Sequence, residues 1–314
     1  MINLFFLQYL RFVRLRVQFE ALETIVLPEY KGSAFRGCIG ESLRDEVCKY
    51  SGLDCQKCGE RYSCPFSQLF NSFVEPAHPH HGKYPKCPHP YIIDPGNDRR
   101  TVLNPGDSFG FDITLVGNAE ARLPLLLRVF ELMGGTGIGK GHARFRATGL
   151  LSMRPDTRYV PVLLFGQPDR ISLNGLPTPV IGNTVTLKLE TPLRMKGKGR
   201  LLHSPPAFGL FAERLAQRLG LLAHFHCGAP WLGEDARFSE GAETIHICRA
   251  DVQMADWRRY SGTQDTRMNF DGLTGSITYE GEGLNRWVPL LAMGVWLHAG
   301  STATFGLGKY RIDG

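Results

Sequence analysis

The sequence predicts an α+β protein built from two successive βαββαβ units, and three observations carry that prediction. The chain has 314 residues, which suits two domains of roughly 150 residues each. Strand-like and helix-like hydrophobic periods follow one another in the same order in each half. A glycine-rich punctuation also occurs twice, about 160 residues apart. Gly134-Gly135-Thr136-Gly137-Ile138-Gly139-Lys140-Gly141-His142 follows Leu132-Met133, and Gly294 with Gly300-Ser301-Thr302-Ala303-Thr304-Phe305-Gly306-Leu307-Gly308-Lys309-Tyr310 follows Ala292-Met293.

In the first half, Val13, Leu15, Val17 and Phe19 alternate with Arg14, Arg16, Gln18 and Glu20, the pattern of a half-buried strand. Phe35, Ile39, Leu43 and Val47 recur every fourth residue between charged side chains and predict an amphipathic helix. Phe111, Ile113 and Leu115 mark a further strand. A helix then opens at Pro124, where a first-turn proline is tolerated, and stops at Gly134. A strand near 143–151 closes the unit. In the second half, Val185, Leu187 and Leu189 mark a strand, and Phe208, Phe211, Leu215, Leu219 and Leu222 a helix. Ile245 and Ile247, then Ile277 and Tyr279, mark strands; a helix over about 289–297 and a closing strand over 305–312 follow. This is the ferredoxin-like plan, twice. The expected domains are 1–155 and 181–314, with a Pro- and Gly-rich connector at 156–180 and a cysteine-rich insertion at about 51–90 in the first.

The composition is that of a folded protein, with 43% apolar and 21% charged residues and no low-complexity tract. Lys and Arg total 36 against 30 Asp and Glu, a formal charge of +6 and a mild bias toward a polyanionic partner. The apolar start of the chain lacks a basic leader and a small-residue cleavage site, so no signal peptide is read. No stretch reaches the roughly 20 apolar residues needed to span a bilayer. A cytoplasmic protein without a membrane partner is expected. There disulfides rarely persist, so the eight cysteines need another explanation. Cys55-x2-Cys58-x5-Cys64 with Cys87 supplies four thiolates in a turn-rich insertion poor in core-forming residues. A tetrahedral structural zinc would tie such a segment down. Cys48, His78, His80, His81 or His89 could replace one ligand, and an iron–sulfur cluster or unmetallated thiols are the alternatives. Cys38, Cys227 and Cys248 read as small buried hydrophobes. His224 and His226, two residues apart on a helix, read as structural.

The glycine loops, together with Gly32-Ser33-Ala34-Phe35-Arg36-Gly37, Cys64-Pro65-Phe66 with Leu69-Phe70, Pro90-Tyr91-Ile92-Ile93, Trp257-Arg258-Arg259-Tyr260-Ser261 and His298-Ala299-Gly300 leading into Phe305-Gly306-Leu307-Gly308, form an ordered set over nearly the whole chain. The set resembles the RAMP superfamily of CRISPR-associated RNA-binding proteins, and within it the repeat-processing endoribonucleases of the Cas six family. The resemblance implies metal-independent cleavage of CRISPR repeat RNA: the ribose 2′-hydroxyl attacks the adjacent phosphate, leaving a 2′,3′-cyclic phosphate and a 5′-hydroxyl. It implies the CRISPR transcript and processed guide as partners, other effector subunits among the associates, and no cofactor for catalysis. The sequence departs from the family in one respect. Many relatives carry a catalytic histidine in or just after the first helix, and residues 32–50 contain none.

Such chemistry needs a general base, a general acid and cations on the developing phosphorane charge. The catalytic candidates are His298, at a helix end where the carbonyl-rich terminus favours a protonated ring, His203, after a basic run, and Tyr260. For RNA binding, the candidates are Gly137, Gly139, Lys140, His142, Arg144 and Arg146 around the first glycine loop. Lys196, Lys198 and Arg200 before His203, Arg258, Arg259 and Arg267 around Tyr260, and Gly300, Gly306, Gly308 and Lys309 in the second loop complete the set. Adjacent N–H groups in glycine loops can form an anion-binding nest. Two rival functions stand beside this one: a non-catalytic RAMP subunit that binds guide RNA, and a zinc-stabilised protein-interaction module.

Overall fold

The computed structural model describes residues 4–50, 52–162, 168–233, 238–255, 258–261 and 266–313, with backbone alone for 258–261 and 266–269. The fold is α+β with antiparallel sheets. The chain divides into two units: an N-terminal one of Phe12–Arg170 with Phe225–Cys227, and a C-terminal one of Met1–Arg11, Ile171–His224 and Gly228–Gly314.

The elements of the first half are β1 (Arg11–Ala21), β2 (Ile25–Val26), α1 (Gly32–Val47), α2 (Pro65–Phe70), β3 (Tyr91–Asp94), β4 (Val102–Leu103), β5 (Ser108–Val116), α3 (Leu123–Thr136), β6 (Phe145–Met153) and β7 (Tyr159–Pro161). The sheet runs β3-β5-β1-β6-β7. In β1, Val13, Leu15, Val17 and Phe19 are all buried beneath the helices, and α1 contributes Phe35, Ile39 and Leu43 to the same core as Leu126, Val129 and Met133 of α3. Aromatic rings knit this core, with Phe35 and Phe111 centred 4.9 Å apart and Phe19 and Phe145 5.1 Å apart.

The other face of β1 departs from the alternation rule, because Arg14 is only 4% exposed. Its guanidinium donates to Asp94 at 2.7 Å, to Asp112 and Thr114 at 3.0 Å, and to the Tyr159 hydroxyl at 3.0 Å. Burial works against the charge, and the two carboxylates more than offset it, so the pKa of Arg14 is raised. A buried cation survives only when every donor finds such a partner.

In the second half come β8 (Ile171–Ser172), β9 (Thr184–Leu193), β10 (Lys196–Gly197), β11 (Arg200–Leu201), α4 (Phe208–Cys227), β12 (His246–Ala255), β13 (Arg258–Ser261), β14 (Thr266–Asn269), β15 (Gly272–Glu280), α5 (Val288–Leu297) and β16 (Tyr310–Asp313). The sheet order is β12-β15-β9-β16. Phe208, Phe211, Tyr279, Trp287 and Tyr310 fill the core, and the Tyr310 hydroxyl donates to the Leu291 carbonyl at 2.7 Å. The closing strand begins at Tyr310, later than the hydrophobic pattern suggests. Ala303–Phe305 form a single 3-10 turn, and Gly306 and Gly308 have φ of 84° and 72°, left-handed values outside the regular strand range. Cys248 is exposed, not buried, because it is the extra residue where the pairing of β12 with β15 shifts register between Ile247 and Arg249.

Candidate functional site

Among the described residues, a group of unpaired cations near a histidine lies where β9 runs out. Met195 is buried, and the chain then turns through the short hairpin β10–β11, with Lys196 opposite Leu201 and Gly197 opposite Arg200. Lys198 and Gly199 occupy the turn with φ of 48° and 81°, the two positive values of a type I′ turn. Leu202 returns a hydrogen bond to the Met195 carbonyl at 2.9 Å and packs against Gly197. The apolar side of the hairpin is thereby anchored, and Lys196, Lys198, Arg200 and His203 are left exposed. Among the described residues none of these four has an ion pair or side-chain hydrogen bond. His203 stands two residues beyond β11, before Pro205-Pro206 lead into α4.

The second glycine loop forms the socket for the root of this hairpin. Gly308 donates its N–H to the Pro192 carbonyl at 3.0 Å, Ser301 to Arg194 at 2.8 Å, and Lys309 to the Thr191 hydroxyl at 2.9 Å, while Thr191 donates to the Gly306 carbonyl at 2.9 Å. The sequence reading places Gly306 and Gly308 in an exposed nest; here both are buried and their N–H groups are spent on Ala303 and Pro192. Glycine is required for close packing instead, since a Cβ on Gly308 would sit 1.8 Å from the Ala299 carbonyl oxygen. Gly300 is half-buried against Arg194, and Lys309 is paired with Glu190 at 3.2 Å.

His298 is likewise inside, 1% exposed, with a φ of 58° and its Nδ1 donating to the Leu307 carbonyl at 3.2 Å. That geometry makes it a clasp across the glycine loop. Arg218 of α4, which sequence reasoning missed, donates to the Leu297 and His298 carbonyls at 3.3 Å and caps the end of α5. Burial pulls its pKa down to about 10. Nothing in the spacing of α4 distinguishes Arg218 from the solvated arginines around it.

The first glycine loop is more open. Gly137 is buried and bonds to the Met133 carbonyl at 2.9 Å, and Ile138 bridges Ala143. Gly139 is half-buried, and Lys140 and His142 are exposed. Arg144 and Arg146 also face solvent, but each is paired across the sheet edge, with Glu23 and Glu20 at 2.9 Å. Two carboxylates thus stand among these cations. Hydrogen bonds from the Arg144 backbone and side chain hold the Glu23 carboxyl below its usual range. Arg258, Arg259, Tyr260 and Arg267 lie on the two-stranded β13–β14 ribbon, where Tyr260 is opposite Arg267 and Arg259 opposite Met268. Trp257 lies outside the described residues.

Of the four thiols expected to meet a metal, three are brought together. Cys55, Cys58 and Cys64 line one pocket, but its fourth cysteine is Cys48, at the end of α1. Cys87 is held elsewhere, 3.5 Å from the Ser72 carbonyl and 3.6 Å from the Nε2 of His226. Burial pushes its thiol up to about 12, and burial pulls His226, which donates to the Pro88 carbonyl at 2.7 Å, down to about 4. Among the described residues no three His, Cys, Asp or Glu side chains stand close enough together to hold a metal as they are.

A family model described as an N-terminal domain matches residues 10–173. The model of the CRISPR-associated endoribonuclease Cas6 matches residues 187–310. No curated protein matches the chain significantly. Among solved structures, a partial Cas6-RT-Cas1–Cas2 complex superposes with a TM-score of 0.60 at 15% identity, covering 97% of this chain and 46% of that one. The chain thus spans about half the length of that relative. Thermus thermophilus Cas6 gives a TM-score of 0.55 at 14% identity over 97% of this chain and 99% of that one. A Cas6 product complex gives 0.56 at 14% over 96% and 99%. At such identities the structures speak for the fold, which this chain shares with the Cas6 proteins, and the Cas6 family model itself matches its C-terminal part, residues 187–310.

Proposed function

We propose that this protein is a CRISPR repeat RNA endoribonuclease that cuts without a metal and retains the processed guide. The observation that carries the reading is the β10–β11 hairpin, three exposed cations without carboxylate partners among the described residues, beside an exposed histidine. Both sheets place the strands of a βαββαβ unit in the order second, third, first, fourth, which supports tandem ferredoxin-like units of the RNA-binding kind. In the proposed reaction the 2′-hydroxyl gives up its proton to a base, its oxygen attacks phosphorus, and the 5′-oxygen leaves with a proton from an acid. His203 serves as one of these two groups. Lys198 and Arg200 balance the charge on the phosphorane. Lys196, Lys140, His142, Arg144 and Arg146 follow the backbone, for exposed ion pairs such as those with Glu20 and Glu23 yield readily to a phosphate. Tyr260 with Arg258, Arg259 and Arg267 offers stacking and further phosphate contacts. His298 acts by positioning, through the loop it clasps.

The partners proposed are repeat RNA and other CRISPR proteins, the second by analogy with the neighbour described as a partial Cas6-RT-Cas1–Cas2 complex. Among the described residues no helix is long and apolar enough to cross a membrane, in keeping with a cytoplasmic role. Incubation with the cognate repeat RNA in EDTA tests the reading. The expected result is a single cut with a cyclic phosphate and a 5′-hydroxyl, slowed about 10²–10⁴-fold by His203→Ala. Tight binding without a cut would instead support the guide-binding subunit, which the lack of a histidine in residues 32–50 favours. Absence of salt-sensitive binding would leave the interaction module.

A further inference from the structure

We propose that Cys48, Cys55, Cys58 and Cys64 form a tetrahedral zinc site that holds the segment between α1 and α2 in place. The four thiols line a single pocket, together with Val47, Tyr50 and Phe66. Their spacing, C-x6-C-x2-C-x5-C, puts two of them on a tight turn, where the Cys58 N–H meets the Cys55 carbonyl at 3.4 Å. The other two sit at helix ends: Cys48 directly follows the last turn of α1, and Cys64 directly precedes Pro65, the first residue of α2. A turn that presents two thiolates, facing two more on fixed elements, is the construction of a structural zinc site.

What else could stabilise this segment is the deciding question. From Cys48 to Phe66 not one described residue is buried. Among the described residues, the regular structure between α1 and α2 is a series of turns, with Leu53 bonded to Tyr50, Lys57 to Asp54, Arg61 to Cys58, and Ser63 and Cys64 to Glu60. Ordering a chain costs conformational entropy that apolar burial normally offsets, and here there is almost none. Soft thiolate ligands would supply the missing stabilisation, and they select zinc over harder cations. Arg61, whose guanidinium donates to the Cys58 carbonyl at 3.4 Å, provides positive charge beside the thiolates, as does Lys49, which is shared with Glu60 at 3.5 Å. The thiols do not yet meet at a point. The turns are joined to the flanking helices by a few side-chain hydrogen bonds, from Arg44 to the Leu53 carbonyl at 3.2 Å and from Gln68 to the Tyr62 carbonyl at 3.0 Å, and by no strand pairing among the described residues, so they can tighten around an ion without breaking a sheet, and binding and ordering are coupled. Cys87 has no part in the set, being committed to Ser72 and His226.

The test is the metal content of the full chain, purified without a tag that binds metal. One zinc per chain is expected by mass spectrometry, retained by Cys87→Ser and lost by Cys58→Ser and Cys64→Ser. Since serine variants can fail for want of folding, the unaltered protein provides a second measurement. Replacement by Co²⁺ should give the strong visible bands of a tetrahedral site with thiolate-to-metal charge transfer, and a chelator should expose four more thiols to a disulfide reagent. A chain free of zinc, a pale octahedral cobalt spectrum, loss of metal in Cys87→Ser, or a brown protein containing iron and sulfide would each overturn the assignment.

Discussion

At the scale of single residues, burial decides which titratable groups matter. His226 in the last turn of α4 gives its Nε2 proton to the Pro88 carbonyl and is held neutral, its pKa drawn from 6.5 down to about 4 by burial. Between those two values the unfolded chain binds a proton that the folded chain refuses, so stability rises with pH in that window and falls on acidification. Denaturant titrations at pH 7 and pH 4.5 should differ by about 2 kcal/mol from this residue alone. In His226→Gln, whose amide can still reach the Pro88 carbonyl, that share of the difference should vanish; an unchanged acid sensitivity would assign it to other groups. Arg14 shows the same rule from the side of charge. Alternation along β1 assigns it to a wet face, and no sequence pattern reveals that Asp94, Asp112 and Tyr159 from three other strands close around it. Cys48 was only a substitute in the sequence reading for a different reason: a six-residue gap before Cys55 is not a customary ligand spacing, and the end of α1 supplies the proximity.

Among the elements, the long ones were legible and the short ones were not. Helices α1 and α4 and the strands β1, β5 and β9 declare themselves by period, because one face of each must be apolar to build the cores around Phe111 and Tyr279, whereas α5 is apolar on every side and is marked by its length and flanking Pro and Gly. The two-residue strands β10 and β11 are shorter than any period, and only the charge run Lys196, Lys198, Arg200 marked them. Glycine richness correctly signalled close backbone approach in the second loop but not its direction, which is inward onto Thr191–Arg194. Gly308→Ala should therefore destabilise the protein by at least about 2 kcal/mol, through a Cβ driven against the Ala299 carbonyl and a strained φ. Thermal melting checks this, and a neutral outcome would mean that the loop can relax. The hairpin it supports should behave in the opposite way. Replacing Lys196, Lys198 and Arg200 together by alanine should leave the melting temperature almost unchanged, because all three are exposed. The slope of log K for RNA against log salt should flatten by about 2, roughly 0.7 for each lost phosphate contact with a single strand. A slope equal to that of the parent would take the hairpin out of the RNA interface.

For the molecule as a whole, the two units repeat one strand order but differ in what stabilises their insertions. The C-terminal hairpin β10–β11 is anchored by Met195, Leu202 and the glycine socket, through apolar contacts, backbone hydrogen bonds and the Thr191 hydroxyl. The N-terminal segment after α1 has, among the described residues, turns, a few side-chain hydrogen bonds and four thiols, with no buried apolar side chain. If zinc holds that segment while cleavage runs on protein groups alone, the two effects of a chelator must separate. A brief EDTA treatment should leave the rate of repeat RNA cleavage unchanged, whereas complete stripping of zinc should lower the melting temperature by several degrees, a shift of about 2–4 °C for each kcal/mol in a unit of this size. Hydrogen exchange then localises the loss. Amides between Cys48 and Phe66, and those of the last turn of α1, should exchange faster in the stripped protein, while β9 and β16 keep their protection. Cleavage that stops on chelation in step with a metal lost from solution would place a cation in the chemistry, and loosening spread evenly over both sheets would deny the segment a local tie.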